Sequence, residues 1–225
     1  KILLIGELGK PYNNGWFYKA GLEKNGHKVI PFDPEAVEGP LSKVDEMIKE
    51  HNPDFVLHAK DELPAEAFEK MRQSTKVVMW YPDPIIPEWL PAYVKASDVF
   101  LTMSEGLIGE FKKYNPNVFW LSQAFEPSCF ETKEITEEDR KDFSAEVTFV
   151  GNLGSKGQYL DRRDTLARII KEGFKLKWWG PRLPRKFSTL PLIIGKLGRS
   201  YGGKFNWGEE YIKVAKLSKI FLAFD

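Results

Sequence analysis

The run Glu146-Val-Thr-Phe-Val-Gly-Asn-Leu-Gly-Ser-Lys-Gly157, followed by Asp161-Arg-Arg-Asp164, concentrates residue types that could hold an anion. It reads as a buried strand, a glycine-rich turn bearing a lysine, and a helix whose first turn carries two arginines. Arginines are poorly placed there in isolation, because the helix dipole puts roughly half a positive charge at the amino end. A bound phosphate reverses that cost. Backbone amides around Gly151, Gly154 and Gly157 can approach a diphosphate, while Lys156 and Arg162 or Arg163 supply charge. The plainer alternative is an ordinary strand-to-helix turn with solvated basic residues.

Two further positions have chemistry to offer. Trp80-Tyr-Pro-Asp-Pro84 places one carboxylate between two prolines just beyond an apolar run, so Asp83 is expected on a rigid turn, as a general base or as an Asx-type turn cap. His58 ends the run that begins at Pro53-Asp54 and is followed by Asp61 and Glu62. A histidine there could act as a base or contact a sugar or phosphate, or it could be hydrogen-bonded within the sheet edge. His27 follows Asn25-Gly26, a helix stop, and reads as structural.

Other chemistries find less support. The first turn, Gly6-Glu-Leu-Gly-Lys-Pro-Tyr-Asn-Asn-Gly15, lacks the G-x-G-x-x-G dinucleotide fingerprint, although Asp33 stands where a ribose-binding acid would. No His, Cys and carboxylate set has metal-ligand spacing, and Asp61-Glu62 is not an Asp-x-Asp pair, so no metal or other cofactor is expected. The 33 basic and 32 acidic residues nearly cancel, and no nucleic-acid-binding module is recognisable. Charge is uneven locally. From Phe174 to Gly208 there are eight basic residues and no acidic one, around an apolar Leu190-Pro-Leu-Ile-Ile194. Residues 182–204 could meet an anionic lipid surface, a lipid-linked acceptor or a polyanionic substrate, or form a solvated loop packed on its own domain.

These residues need a frame, and the frame is legible as alternation. Strands are expected at 2–5, 28–32, 54–58, 76–80, 98–102 and 117–121, with helices near 15–25, 41–51, 64–73, 87–96 and 105–114. Strands apolar on both faces that alternate with helices imply a parallel sheet covered on both sides, a Rossmann-like domain over residues 1–125. Residues 126–145, with Glu126-Pro127 and the charged run Glu137-Glu-Asp-Arg-Lys-Asp142, break the rhythm and read as a linker containing a short helix. A second alternation opens at 146 with strands at 146–151, 174–179 and 219–224 and helices at 159–172 and 209–218. In doubly wound sheets ligands lie beyond the carboxyl ends of strands, where the Gly151 turn, Asp83, His58 and Gln123 all fall. Three strands make a thin sheet, and the chain opens at Lys1 within a strand and stops at a strand. A longer protein, with the second domain completed beyond Asp225, is the expectation. The single Cys129 fits a reducing, cytoplasmic setting, and no apolar run approaches a membrane span.

Together, Gly26-His-Lys-Val29 running into Pro31-Phe-Asp33, Trp80-Tyr-Pro-Asp-Pro84, Leu121-Ser-Gln-Ala-Phe-Glu-Pro127 and Val147-Thr-Phe-Val-Gly-Asn152 resemble the CgeB-like (spore maturation protein) glycosyltransferases of GT-B architecture. The resemblance spans essentially the whole chain. It implies an α/β fold of two Rossmann-like domains, and transfer of a sugar from a nucleotide-sugar donor to an acceptor without a metal-binding Asp-x-Asp. The donor would lie mainly on the second domain. Carried over, Gly151, Asn152 and Lys156 match the phosphate-side turn, and Arg162 or Arg163 would stabilise the departing diphosphate. Trp207-Gly-Glu-Glu-Tyr211 matches a glycine-to-helix turn where Gly208 and Glu210 would meet base or ribose. Asp83 or His58 would stand near the acceptor hydroxyl. In related transferases the strand resembling Ile220 to Asp225 leads to a helix bearing an acidic residue that contacts the donor. Two other readings fit the same residues: a non-catalytic nucleotide- or glycan-binding module, and a membrane-peripheral scaffold using residues 182–204.

Overall fold

A computed structural model describes residues 1–9, 13–60, 63–127, 131, 134–154, 158–181, 194–204 and 208–224. The chain divides into two compact units, Lys1–Cys129 and Phe130–Asp225.

Unit 1 alternates β1 (Ile2–Ile5), α1 (Asn14–Lys24), β2 (Val29–Phe32), α2 (Pro40–His51), β3 (Phe55–Ala59), α3 (Ala65–Met71), β4 (Lys76–Tyr81), α4 (Leu90–Ala96), β5 (Val99–Thr102), α5 (Ile108–Phe111) and β6 (Val118–Trp120). The six strands form one parallel sheet in the order β2-β1-β3-β4-β5-β6. All four residues of β1 are buried, and Val56, Val77, Met79 and Phe100 are fully enclosed, so both faces of the central strands are covered. Each such side chain contributes about 1.5–3 kcal/mol by leaving water. Apolar on both faces is what a parallel sheet demands, and it is why these strands read as continuous runs.

Unit 2 contains α6 (Glu137–Phe143), β7 (Ala145–Val150), α7 (Gln158–Lys171), β8 (Leu176–Trp179), α8 (Lys196–Arg199), β9 (Tyr201–Gly203), α9 (Glu209–Lys216) and β10 (Ser218–Leu222). Its sheet is also parallel, in the order β10-β7-β8-β9. A fourth strand, β9, joins the three expected from sequence. Its Tyr201-Gly-Gly carries little strand propensity; packing makes it a strand, because Gly202 lies so close to the Trp179 ring that a Cβ would meet it at 2.6 Å. The Tyr201 ring packs on Trp178 at 4.6 Å. α6 is fixed by a reciprocal cap between Thr136 and Asp139, and Lys213 of α9 reaches the same carboxylate at 2.7 Å.

In each sheet the strand order reverses at one place. In unit 1 it is between β1 and β3; in unit 2, between β7 and β10. Connections leave opposite faces there and open a crevice at the strand carboxyl ends. In unit 1 that crevice is set by a close approach of α1 to the preceding loop: a Cβ on Gly15 would fall 2.4 Å from the Glu7 carbonyl oxygen. Gly15→Ala is therefore expected to cost roughly 2 kcal/mol by overpacking against backbone, read as a lower urea midpoint at unchanged slope. A midpoint equal to the parent's would refute the tight approach.

Candidate functional site

The turn after β7 lies at the unit 2 switch point. Gly151 donates its N–H to the Trp179 carbonyl at 2.9 Å, so it extends the pairing with β8 by one residue. Gly180, one step beyond β8, has φ 152°, and a Cβ there would lie 2.2 Å from the Gly151 oxygen. Gly151 itself has φ 157° and packs on Phe149, whose ring a Cβ would meet at 2.7 Å. Only glycine at both positions lets the two strand ends close in this way. Across the crevice β10 runs on to Phe224, which stands edge-on to Phe149 at 5.2 Å, with the Arg162 guanidinium 5.9 Å from the Phe224 ring. Asn152, next in the chain after Gly151, is exposed.

Two expectations about the arginines change. α7 begins at Gln158, so Arg162 and Arg163 fall in its second turn and Asp161 closes the first. Arg163 is 6% exposed and gives Nε and Nη2 to the Leu153 carbonyl at 2.9 and 2.6 Å. Its fork shapes the turn from inside instead of facing a ligand. Arg162, half-buried, remains beside the crevice. Lys156, Gly157 and Trp207 lie outside the described residues, as do 182–193 of the basic insertion; of its remainder, Lys196 and Arg199 belong to α8, whose Leu197 is buried. Gly208, with φ 111°, precedes α9, and Glu210 lies in that helix's first turn.

In unit 1 the residues after the strands are arranged differently. Asp33 accepts from the Leu8 amide at 2.8 Å and from the Glu35 amide at 3.0 Å, so both its oxygens are spent on backbone and it ties the first loop to β2. His58 is inside β3, fully buried, with Nε2 accepting from the Leu63 N–H at 3.1 Å and the ring edge-on to Phe68 at 4.7 Å. Burial lowers its pKa from 6.5 to about 3, against a smaller opposing pull from the Lys60 backbone. The expectation of His58 as a base at the acceptor is corrected: a group with no path to solvent takes no proton from a substrate, and its role is to brace the β3–α3 connection.

Asp83 is placed as its prolines imply, just past β4. Its carboxylate is 42% exposed, 3.7 Å from Lys60 Nζ, and among the described residues it accepts no backbone hydrogen bond, so the turn-cap alternative is not what holds it. Gln123, from beyond β6, donates Nε2 to the Pro82 carbonyl at 2.8 Å and fixes the turn from the other side. Gln123 falls within the Leu121–Pro127 run already singled out beyond the sixth strand, whereas no motif marks Lys60. The signal for Lys60 lies in backbone conformation, which no residue pattern displays.

Among the described residues no set of three or more His, Cys, Asp and Glu could hold a metal, and no helix is long and apolar enough to cross a membrane. A hollow of about 140 Å³ between α2 and α3, lined by Leu41, Val44, Leu63 and Met71, is too small for a nucleotide.

Two parallel sheets, each with helices around it and a switch point at its carboxyl edge, define an α/β chain of two Rossmann-like units, the GT-B type of architecture. No protein-family model matches the chain, and no curated protein does. Among solved structures it is similar to S. aureus MnaA in a UDP co-structure (13% identity, 98% of this chain and 72% of that one, TM-score 0.53). It is similar also to the apo form of the lipopolysaccharide outer core galactosyltransferase WaaB (14% identity, 91% and 68%, TM-score 0.51). A third likeness is to the Glycosylation Associate Protein (Gap123) complex from Streptococcus agalactiae (10% identity, TM-score 0.43), where 80% of this chain spans 39% of the other. At such identities what the first two share with this chain is the fold.

The buried neutral histidine makes stability depend on pH. Its folded pKa is depressed, so its contribution is complete above about pH 6.5 and is lost as pH falls toward 3. Between pH 8 and pH 5 the loss is about 2 kcal/mol. His58→Gln keeps an acceptor for Leu63 and cannot titrate. Urea unfolding at both pH values should show the parent losing that much more than the variant; equal losses would overturn the neutral buried state.

Proposed function

We propose that this chain binds a nucleotide sugar on unit 2 and transfers its sugar to an acceptor hydroxyl, without a metal ion. The observation that carries the proposal is the unit 2 switch point, where the Gly151 turn and Arg162 stand against the end of β10. A glycine-cleared crevice beside a helix and a guanidinium suits a diphosphate. Gly151, Asn152 and Arg162, with Lys156 from the same turn, are assigned to the phosphates, and Gly208 and Glu210 to ribose or base. Arg163 holds the turn's shape. Fold likeness supports the reading, since WaaB is described as a galactosyltransferase and the MnaA structure contains UDP.

Asp83 is assigned as the base. It takes the proton of the acceptor hydroxyl while that oxygen bonds to the anomeric carbon; the bond from that carbon to the diphosphate oxygen breaks, and the nucleoside diphosphate leaves with the electron pair. Arg162 and the turn's amides stabilise the charge that develops there. The narrower assignment, to the CgeB-like transferases, rests on the order of the Trp80–Pro84, Leu121–Pro127 and Val147–Asn152 motifs. A cytoplasmic location goes with it, and Cys129 would stay reduced there.

Thermal unfolding of the full-length protein with UDP, GDP, TDP, ADP and their sugars, with and without magnesium, tests this. One nucleotide family at a hundredfold its Kd should raise Tm by roughly 5 °C, independently of magnesium. No shift with any of them would sink the reading. Arg162→Ala should weaken that nucleotide about tenfold or more, the worth of a hydrogen bond to a charged group. Arg163→Ala should instead lower Tm without ligand. Unchanged nucleotide affinity in Arg162→Ala would remove the phosphate assignment.

A further inference from the structure

Lys60 follows β3 with φ 69°. Among the described residues the other non-glycine residue at positive φ is Asn52, which has an ordinary reason: it ends α2 and donates its N–H to the Ile48 carbonyl. Lys60 ends no helix. A glycine would hold this conformation at lower cost, and an outlier of this kind beside a crevice points to use of the side chain. The Lys60 amide donates to the Trp80 carbonyl at 3.0 Å, which anchors the residue on β4. Its ammonium lies 3.7 Å from the Asp83 carboxylate, attractive but beyond hydrogen-bond length, so both groups keep bonding capacity.

Tyr18 of α1 completes the cluster. The Trp80 side chain and the Asp83 carboxylate are near enough to act on the half-buried Tyr18 phenol. An indole N–H can only donate, so nothing on Trp80 takes up the Tyr18 O–H, and a phenol can give that proton to a ligand oxygen. Burial, foremost, holds its pKa above the ordinary 10.0, which keeps that proton in place at neutral pH. On the turn beyond Asp83, Ile85, Ile86 and Trp89 are exposed, an apolar flank next to the polar cluster.

We propose that Tyr18, Lys60 and Asp83 form a hydroxyl clamp, and that the acceptor it takes is a neutral sugar. Asp83 accepts from the reacting hydroxyl; Lys60 and Tyr18 donate to its oxygen and to that of the neighbouring hydroxyl. One cation and one anion sum to zero, so an acidic acceptor would face Asp83 and a basic one Lys60. A sugar ring also presents a C–H face that Ile85, Ile86 and Trp89 can cover. This deepens the proposed function and rests on its assignment of Asp83.

The test is saturation-transfer NMR on the full-length protein with the methyl β-glycosides of glucose, galactose and N-acetylglucosamine, and with methyl glucuronide as the acidic comparator. At least one neutral glycoside should bind, the glucuronide more weakly. Lys60→Met and Tyr18→Phe should each weaken the neutral glycoside at least fivefold, and Asp83→Asn should abolish it. The nucleotide-induced Tm shift should be the parent's in all three. Lys60→Gly relieves the backbone, so it should raise Tm while still losing the glycoside, which separates lost contact from lost fold. No neutral glycoside bound by the parent, tighter binding of the glucuronide, or parent-like binding by Lys60→Met and Tyr18→Phe would each overturn the clamp. The two proposals fail separately: without a nucleotide shift the transfer reading falls while a responsive clamp stands as a sugar site, and a shift with unresponsive clamp variants does the reverse.

Discussion

The Gly151 carbonyl lies against Gly180, and the Gly151 amide is held by Trp179. This backbone-on-backbone closure at the end of two parallel strands governs the whole unit 2 crevice. It ends the pairing of β7 with β8 at the switch point, where the chain leaves the sheet ahead of α7 and its arginines. Any side chain at position 180 would force the strand ends apart, so the geometry of the crevice is held by the absence of atoms, and the fork of Arg163 on Leu153 then fixes what that absence permits.

The two units brace their first turns with opposite chemistry. In unit 1 the brace is an anion, the carboxylate of Asp33 accepting from the Leu8 amide. In unit 2 the brace is a cation on a carbonyl, Arg163 on Leu153. The same topology is thus braced by an anion in one unit and by a cation in the other. The difference lies in two side chains, Asp33 and Arg163.

Most of the frame is legible directly, because a strand apolar on both faces between amphipathic helices admits few arrangements. The apolar run at 2–5 is β1 to the residue, and helices α1, α2 and α7 differ from expectation by one residue at their ends. The features that escape a sequence reading are set by tertiary contact. β9 has two glycines in three residues and becomes a strand only because the Trp179 ring needs the space a side chain would take. His58 has the composition of a catalytic residue, and only its burial shows otherwise. Arg163 is chemically identical to its neighbour Arg162, and the helix start alone decides which of them turns inward. The alliance of Lys60, Tyr18 and Asp83 joins three separate elements and has no spacing to betray it.

The brace on Asp83 also sets a time order. Gln123 reaches Pro82 across 41 residues of chain, from beyond the edge strand β6. Strands in a parallel sheet pair only after a crossover has been closed, and contacts of long sequence separation form late. The carboxylate is consequently held in its final orientation only after the last strand of unit 1 has docked. A nascent chain with β1 to β5 in place would have most of its sheet core and still lack a finished turn at Asp83, so maturation of the site trails formation of the fold that carries it.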